Sequence, residues 1–144
     1  MKSFKSRGFT LIELLVVIAI IGLLSTLSVI ALNSAREKAR NARRVSDMKQ
    51  IQTALEIYFN DIGRYPASTE LVFSATGQIA TASKVYMSVL PRNPMPRNDT
   101  PCPDNEYVYT RDSSVSYHLT YCISEATGGI AVGTNQATPA GISD

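Results

Sequence analysis

The sequence predicts an α+β fold: a long N-terminal α-helix, apolar enough in its first half to span a membrane, packed through its second half on a small antiparallel β-sheet head of three or four strands. Three observations predict it. Phe9 to Leu32 holds a single charge, Glu13, in 24 residues. Apolar or small residues then recur at steps of three and four as far as Ile62, with no proline before Pro66. After residue 105, short segments alternate apolar and polar positions around turn residues. A length of 144 residues, 44% hydrophobic and 18% charged, sets one modest domain as the ceiling and excludes a collagen-like repeat, an acidic disordered tail and a multi-span membrane protein.

Residues 1–8 form a basic leader with Lys2, Lys5 and Arg7 and no acid, so its removal takes the formal net charge from +2 to −1. That loss argues against a nucleic-acid binder, whose positive surface should be widespread and survive processing. Leu14 to Leu32 is uncharged, and as a helix it reaches roughly 28 Å, about one bilayer core. Basic residues before it and a longer chain after it predict an N-terminus in the cytoplasm and an exported C-terminal part. An ordinary signal peptide ending near Val29-Ile30-Ala31 is the rival. Glu13 counts against it, because an acid at the start of an apolar helix is costly unless it has a use.

Lys5-Ser6-Arg7-Gly8-Phe9-Thr10-Leu11-Ile12-Glu13-Leu14 followed by Leu15-Val16-Val17-Ile18-Ala19-Ile20-Ile21-Gly22 resembles the class III leader and N-terminal helix of type IV pilins and pseudopilins, over about 25 contiguous residues. The resemblance implies cleavage between Gly8 and Phe9 by a prepilin peptidase on the cytoplasmic face, and methylation of the new Phe9 amine. It further implies a structural subunit, not an enzyme, that sits in the cytoplasmic (inner) membrane as a single-pass precursor. An assembly ATPase and platform protein, with minor pilins, would draw it into a helical homo-oligomer, either a surface pilus or the pseudopilus of type II secretion. Glu13 would set the register by pairing with the Phe9 amine of a neighbouring copy. An ammonium and a carboxylate about 4 Å apart attract by about 4 kcal/mol at an effective dielectric near 20, which offsets part of the cost of burying both. The plain alternative for Glu13 is a carboxylate that reaches back to water. The alternative for the chain is a monomeric membrane-anchored binding module outside the cytoplasm, including one that takes up DNA.

Residues 33–62 continue the helix, with Ala35, Ala39, Ala42, Val45, Met48, Ile51, Leu55, Tyr58, Phe59 and Ile62 expected on its packed face. Within 33–50, six basic side chains face two acidic ones. A solvated face near lipid head groups or an acidic neighbour is the leading reading; DNA contact and salt bridges between copies are the others.

Gly63-Arg64-Tyr65-Pro66 ends the helix, since Gly accepts a left-handed terminal conformation and a residue before proline is pushed to extended geometry. This tetrad, and Tyr86 through Pro91-Arg92-Asn93-Pro94, are similar to landmarks of major pseudopilins. Residues 63–105 are expected to connect: Leu71 to Ser83 is irregular, and Pro91, Pro94, Pro96, Pro101 and Pro103 exclude a central strand. The sheet is expected in 106–132, from Glu106 to Arg111, Tyr117 to Ile123 and Ile130-Ala131-Val132, with the aromatic face of the second strand on the helix. Residues 133–144 lack apolar substance and are expected to form a flexible tail.

Export makes a Cys102–Cys122 disulfide the leading expectation, worth about 3 kcal/mol in the chain-entropy picture. A metal site of Cys102, His118 and Cys122 lacks a fourth ligand and the close spacing of zinc sites; free thiols are the remaining reading. Asp99, Asp104 and Glu106 are the nearest oxygen cluster for a hard cation, but nothing in their spacing shows six converging ligands. No metal and no cofactor are expected. A single histidine and the absence of a nucleophile elbow or phosphate-binding loop leave no catalytic set.

Overall fold

A computed structural model describes residues 8–69, 71, 73, 76–96, 101–103 and 106–143. The leader residues before Gly8, and Asp99 and Asp104 of the oxygen cluster, lie outside the described residues. Its elements are α1 (Leu11–Ile62), β1 (Ile79–Ala80), β2 (Val85–Met87), β3 (Val108–Ser113), β4 (Ser116–Ile123), β5 (Gly133–Thr138) and β6 (Gly141–Ser143). The chain divides into two compact units, one ending at Arg36 and the other beginning at Glu37.

In the first unit, α1 begins two residues later than the apolar run. Thr10 stands outside the helix as its N-cap, accepting from Glu13 N at 3.2 Å through Oγ1. Gly22, Ser25, Thr26 and Ser28 lie within an unbroken helix, and the three hydroxyls donate to carbonyls one turn back: Ser25 to Ile21 O, Thr26 to Leu23 O and Ser28 to Leu24 O, at 2.7–2.8 Å.

The second unit is the head. The rest of α1 buries Asn41, Arg44, Val45, Asp47, Met48, Ile51, Ala54, Leu55 and Tyr58. Ala35, Ala39, Ala42 and Ile62, expected on the packed face, are exposed instead. Alanines carry no bulk that would compel burial, so the longer side chains set the helix's rotation. Gly63 ends α1 at φ 77°, with its N–H donating to Phe59 O at 2.7 Å. Tyr65 then turns back into the core: its ring stacks on Phe59 and meets Tyr117 edge-on, and its hydroxyl donates to Glu56 Oε1 at 2.7 Å. Burial and that carboxylate push the phenol well above its ordinary range.

The main sheet is antiparallel in the order β3-β4-β5-β6. In β4, Tyr117, Leu119, Tyr121 and Ile123 are all buried and join Met48, Ile51, Leu55 and Tyr58 of α1 in one core. β1 and β2 form a separate two-stranded ribbon inside the region expected to be connection only. The third strand expected at Ile130-Ala131-Val132 does not form: Ile130 closes a tight turn through Gly128 and Gly129 by a bridge to Thr127, and Ala131 and Val132 lead into β5. The expected tail at 133–144 is instead strands β5 and β6. β5 turns Asn135 and Ala137 inward, and the buried amide of Asn135 donates to Ala131 O and Gly133 O at 2.9 Å, so a strand with little apolar content still satisfies its interior.

Candidate assembly segment and the head beyond it

Gly8 and Phe9, the residues expected to flank the processing site, are both exposed. Thr10 and Glu13 form a reciprocal cap: Glu13 Oε2 accepts from Thr10 N at 2.8 Å and from Thr10 Oγ1 at 2.7 Å, while Thr10 Oγ1 accepts from Glu13 N. Glu13 therefore turns toward the start of its own helix, one residue from Phe9. The sequence reading gave Glu13 a partner in another copy and missed this one, although Thr10-Leu11-Ile12-Glu13 carries the spacing of a capping box.

Beyond that cap, sixteen large apolar side chains between Phe9 and Leu32 are exposed, from 44% at Val17 to 78% at Leu11. At roughly 1 kcal/mol for each half-covered side chain, leaving them in water costs on the order of 15 kcal/mol, as much as the whole stability of a typical domain. The segment therefore requires lipid or other apolar helices around it, and α1 is long and apolar enough to cross a membrane. The hydroxyls of Ser25, Thr26 and Ser28 present no unsatisfied donor to those surroundings.

The head carries a polar set that the basic run concealed. Arg44 is fully buried, donating from Nε to Asn93 Oδ1 at 2.9 Å and from Nη1 to Asn41 Oδ1 at 2.8 Å, so it is no part of a solvated face. Asn41 Oδ1 also accepts from Ser124 N at 3.2 Å, which fastens the end of β4 to the helix. Buried Asp47 accepts from Tyr107 Oη at 3.0 Å; burial raises its carboxyl above the ordinary value, more than that bond and the Arg43 charge lower it. The signal was positional: Asn41 and Arg44 share one helix face with Val45 and Met48, whatever their charge.

Cys102 and Cys122 are joined in a disulfide, which removes both as metal ligands and overturns the Cys102–His118–Cys122 reading. His118 Nδ1 instead lies 2.9 Å from Asp112 Oδ1. Glu106 is engaged on both oxygens, accepting from Arg92 Nε and Nη2 at 3.0 and 2.6 Å and from Asn93 N at 3.1 Å. Among the described residues no three His, Cys, Asp or Glu side chains converge.

Residues 3–29 match the family described as the prokaryotic N-terminal methylation motif. The chain is 38% identical over 90 residues to the type II secretion system core protein G of Pectobacterium carotovorum, covering 62% of this chain and 54% of that protein. It is 44% identical over 66 residues to the Escherichia coli K12 protein of the same name, 46% of each, and 35% identical over 97 residues to that of Vibrio cholerae, 67% of this chain and 58% of that one. The chain thus spans about half the length of the curated relatives it matches. No solved structure matches it.

Proposed function

We propose that the chain is a member of the type IV pilin and pseudopilin family that it resembles, and that it is the structural subunit of a pseudopilus-like filament. Its precursor spans the cytoplasmic membrane once with the leader inside. A prepilin peptidase cuts between Gly8 and Phe9, the new amine is methylated, and an assembly ATPase and platform protein move the subunit into a helical bundle of identical copies with minor pilins. The relatives named for type II secretion favour the pseudopilus over a surface pilus. The observation that carries the reading is the exposed apolar segment: a folded head is joined to sixteen uncovered large apolar side chains, with one acid at their start. Transfer from lipid to a bundle exchanges apolar neighbours for apolar neighbours, so spontaneous assembly has little drive and an energy source follows.

Glu13 serves two roles in this reading. A carboxylate has room for about four hydrogen bonds, so the Thr10 cap leaves capacity for the Phe9 ammonium of an adjoining copy. The test is mass analysis of the mature chain together with sedimentation of sheared surface or periplasmic material. A polypeptide starting at Phe9 with one added methyl group, present in filaments, is expected. Glu13→Ala should be processed normally yet yield at least tenfold fewer filaments. A mature chain that begins beyond residue 30 overturns the reading, and one that keeps Phe9 yet never sediments leaves the monomeric binding module in its place.

A further inference from the structure

Within the head, a cleft of about 530 Å³ opens between α1 and the loop at 92–95, lined by Arg40 and Arg43 of the helix, Arg92, Asn93 and Met95 of the loop, and Glu106. Its walls are fixed from behind. Glu106 holds the Arg92 guanidinium and the Asn93 N–H, and buried Arg44 holds the Asn93 side chain. Arg92 nevertheless keeps about half of its side chain in solvent, and Arg43 is exposed. With Nε and Nη2 of Arg92 spent on Glu106, the cleft presents the exposed Arg43 guanidinium and the remaining Arg92 Nη1, donors suited to a planar carboxylate, beside a Met95 side chain that is 70% exposed and suited to the methylenes of an acidic residue.

The complement of this cleft lies on the same chain. Residues 33–50 carry six basic side chains against two acidic, whereas residues 51–144 carry five against nine. Among the described acids of that second region, Asp61, Asp112 and Glu125 keep 39–44% of their side chains in solvent; each lies beside a base of its own chain, Lys84, His118 and Lys38 in turn, in exposed pairs that cost little to exchange. A polyanion such as DNA would meet that acidic surface as well as the cleft, which disfavours it; another copy of the chain brings its acidic surface to the cleft alone. A contact between two different faces of identical copies propagates in one direction instead of closing on itself, as a filament requires.

We propose that the Arg40–Arg43–Arg92 cleft receives an acidic side chain from the head of a second copy. This contact rests on the filament reading and locates one electrostatic joint of it outside the apolar segment. The test uses the full chain in cells that assemble it, comparing wild type, an Arg40→Glu and Arg43→Glu double variant, and the matching double Lys variant. The acidic variant alone should yield about tenfold fewer sedimentable filaments, the scale of one lost close charge pair, whereas the Lys variant should assemble. Produced with an excess of wild type, the acidic variant should still enter filaments, because its own acidic face is intact. Normal yield from the acidic variant alone overturns the proposal, as does exclusion of a folded, disulfide-bonded variant from wild-type filaments. If the acidic variant melts early, Arg43→Gln is read in its place, with about a threefold loss expected and no loss overturning the joint. Absence of filaments from the wild type itself sinks the filament reading and the joint together, an outcome distinct from wild type and variant assembling alike.

Discussion

Asp47 shows how a single residue in the head is balanced. Its carboxylate is buried and held by the Tyr107 hydroxyl, and burial raises its pKa above the unfolded value of 3.8. A carboxyl whose folded pKa lies above its unfolded one binds more protons in the native state between the two values, so its ionisation costs stability as pH rises through that window. Asp47→Asn keeps an oxygen for Tyr107 and removes the charge. In detergent-held full chain, the variant should match or exceed wild-type stability at pH 7, and the gap should close as pH falls toward 4. Urea unfolding at several pH values checks this; a gap that widens on acidification would show Asp47 to be stabilised by its neighbours when charged. Arg44 follows the same logic with a different solution, since its charge cannot be shed and each guanidinium edge is instead given an oxygen.

At the scale of elements, α1 is stopped by backbone geometry. Gly63 sits at φ 77° with open space where a Cβ would go, so Gly63→Ala meets no clash and incurs only the left-handed backbone cost. A loss of about 1 kcal/mol and a drop of a few degrees in Tm are expected, and a neutral result in thermal unfolding would mean that the Tyr65 anchor alone sets the stop. The same comparison shows what was legible beforehand. α1 could be read because its apolar run and its Gly-Arg-Tyr-Pro end are both local signals, and β4 because Tyr117, Leu119, Tyr121 and Ile123 alternate strictly. β5 could not, because Gly133-Thr134-Asn135-Gln136-Ala137-Thr138 offers the core one methyl and one amide, and its place is settled by pairing with β4. The Thr10–Glu13 cap was legible in spacing, yet the leader beside it drew the reading of Glu13 toward another copy. Arg44 was hidden by its basic neighbours, since only its position on the helix face of Val45 and Met48, and nothing in its charge, marks it as the member that faces inward.

For the whole molecule, the division after Arg36 separates a unit that needs an apolar environment from one with its own core, disulfide and sheet. A fragment of residues 33–144, with Asn33 or Ser34 available to cap the new helix start, should be soluble without detergent and keep its β-sheet signal, because burial in α1 begins only at Asn41. Circular dichroism and gel filtration check this; a fragment that aggregates or loses its sheet would show that the head depends on residues 9–32. The three hydroxyls folded back onto their own helix carry a last implication. Ser25, Thr26 and Ser28 make the middle of the apolar rod chemically mute, with no polar grip on whatever surrounds it. A shaft of that kind trades fatty acid tails for sister rods with no directional bond to break along its middle, which leaves the acid at its start as the one polar point that can fix where a rod stops.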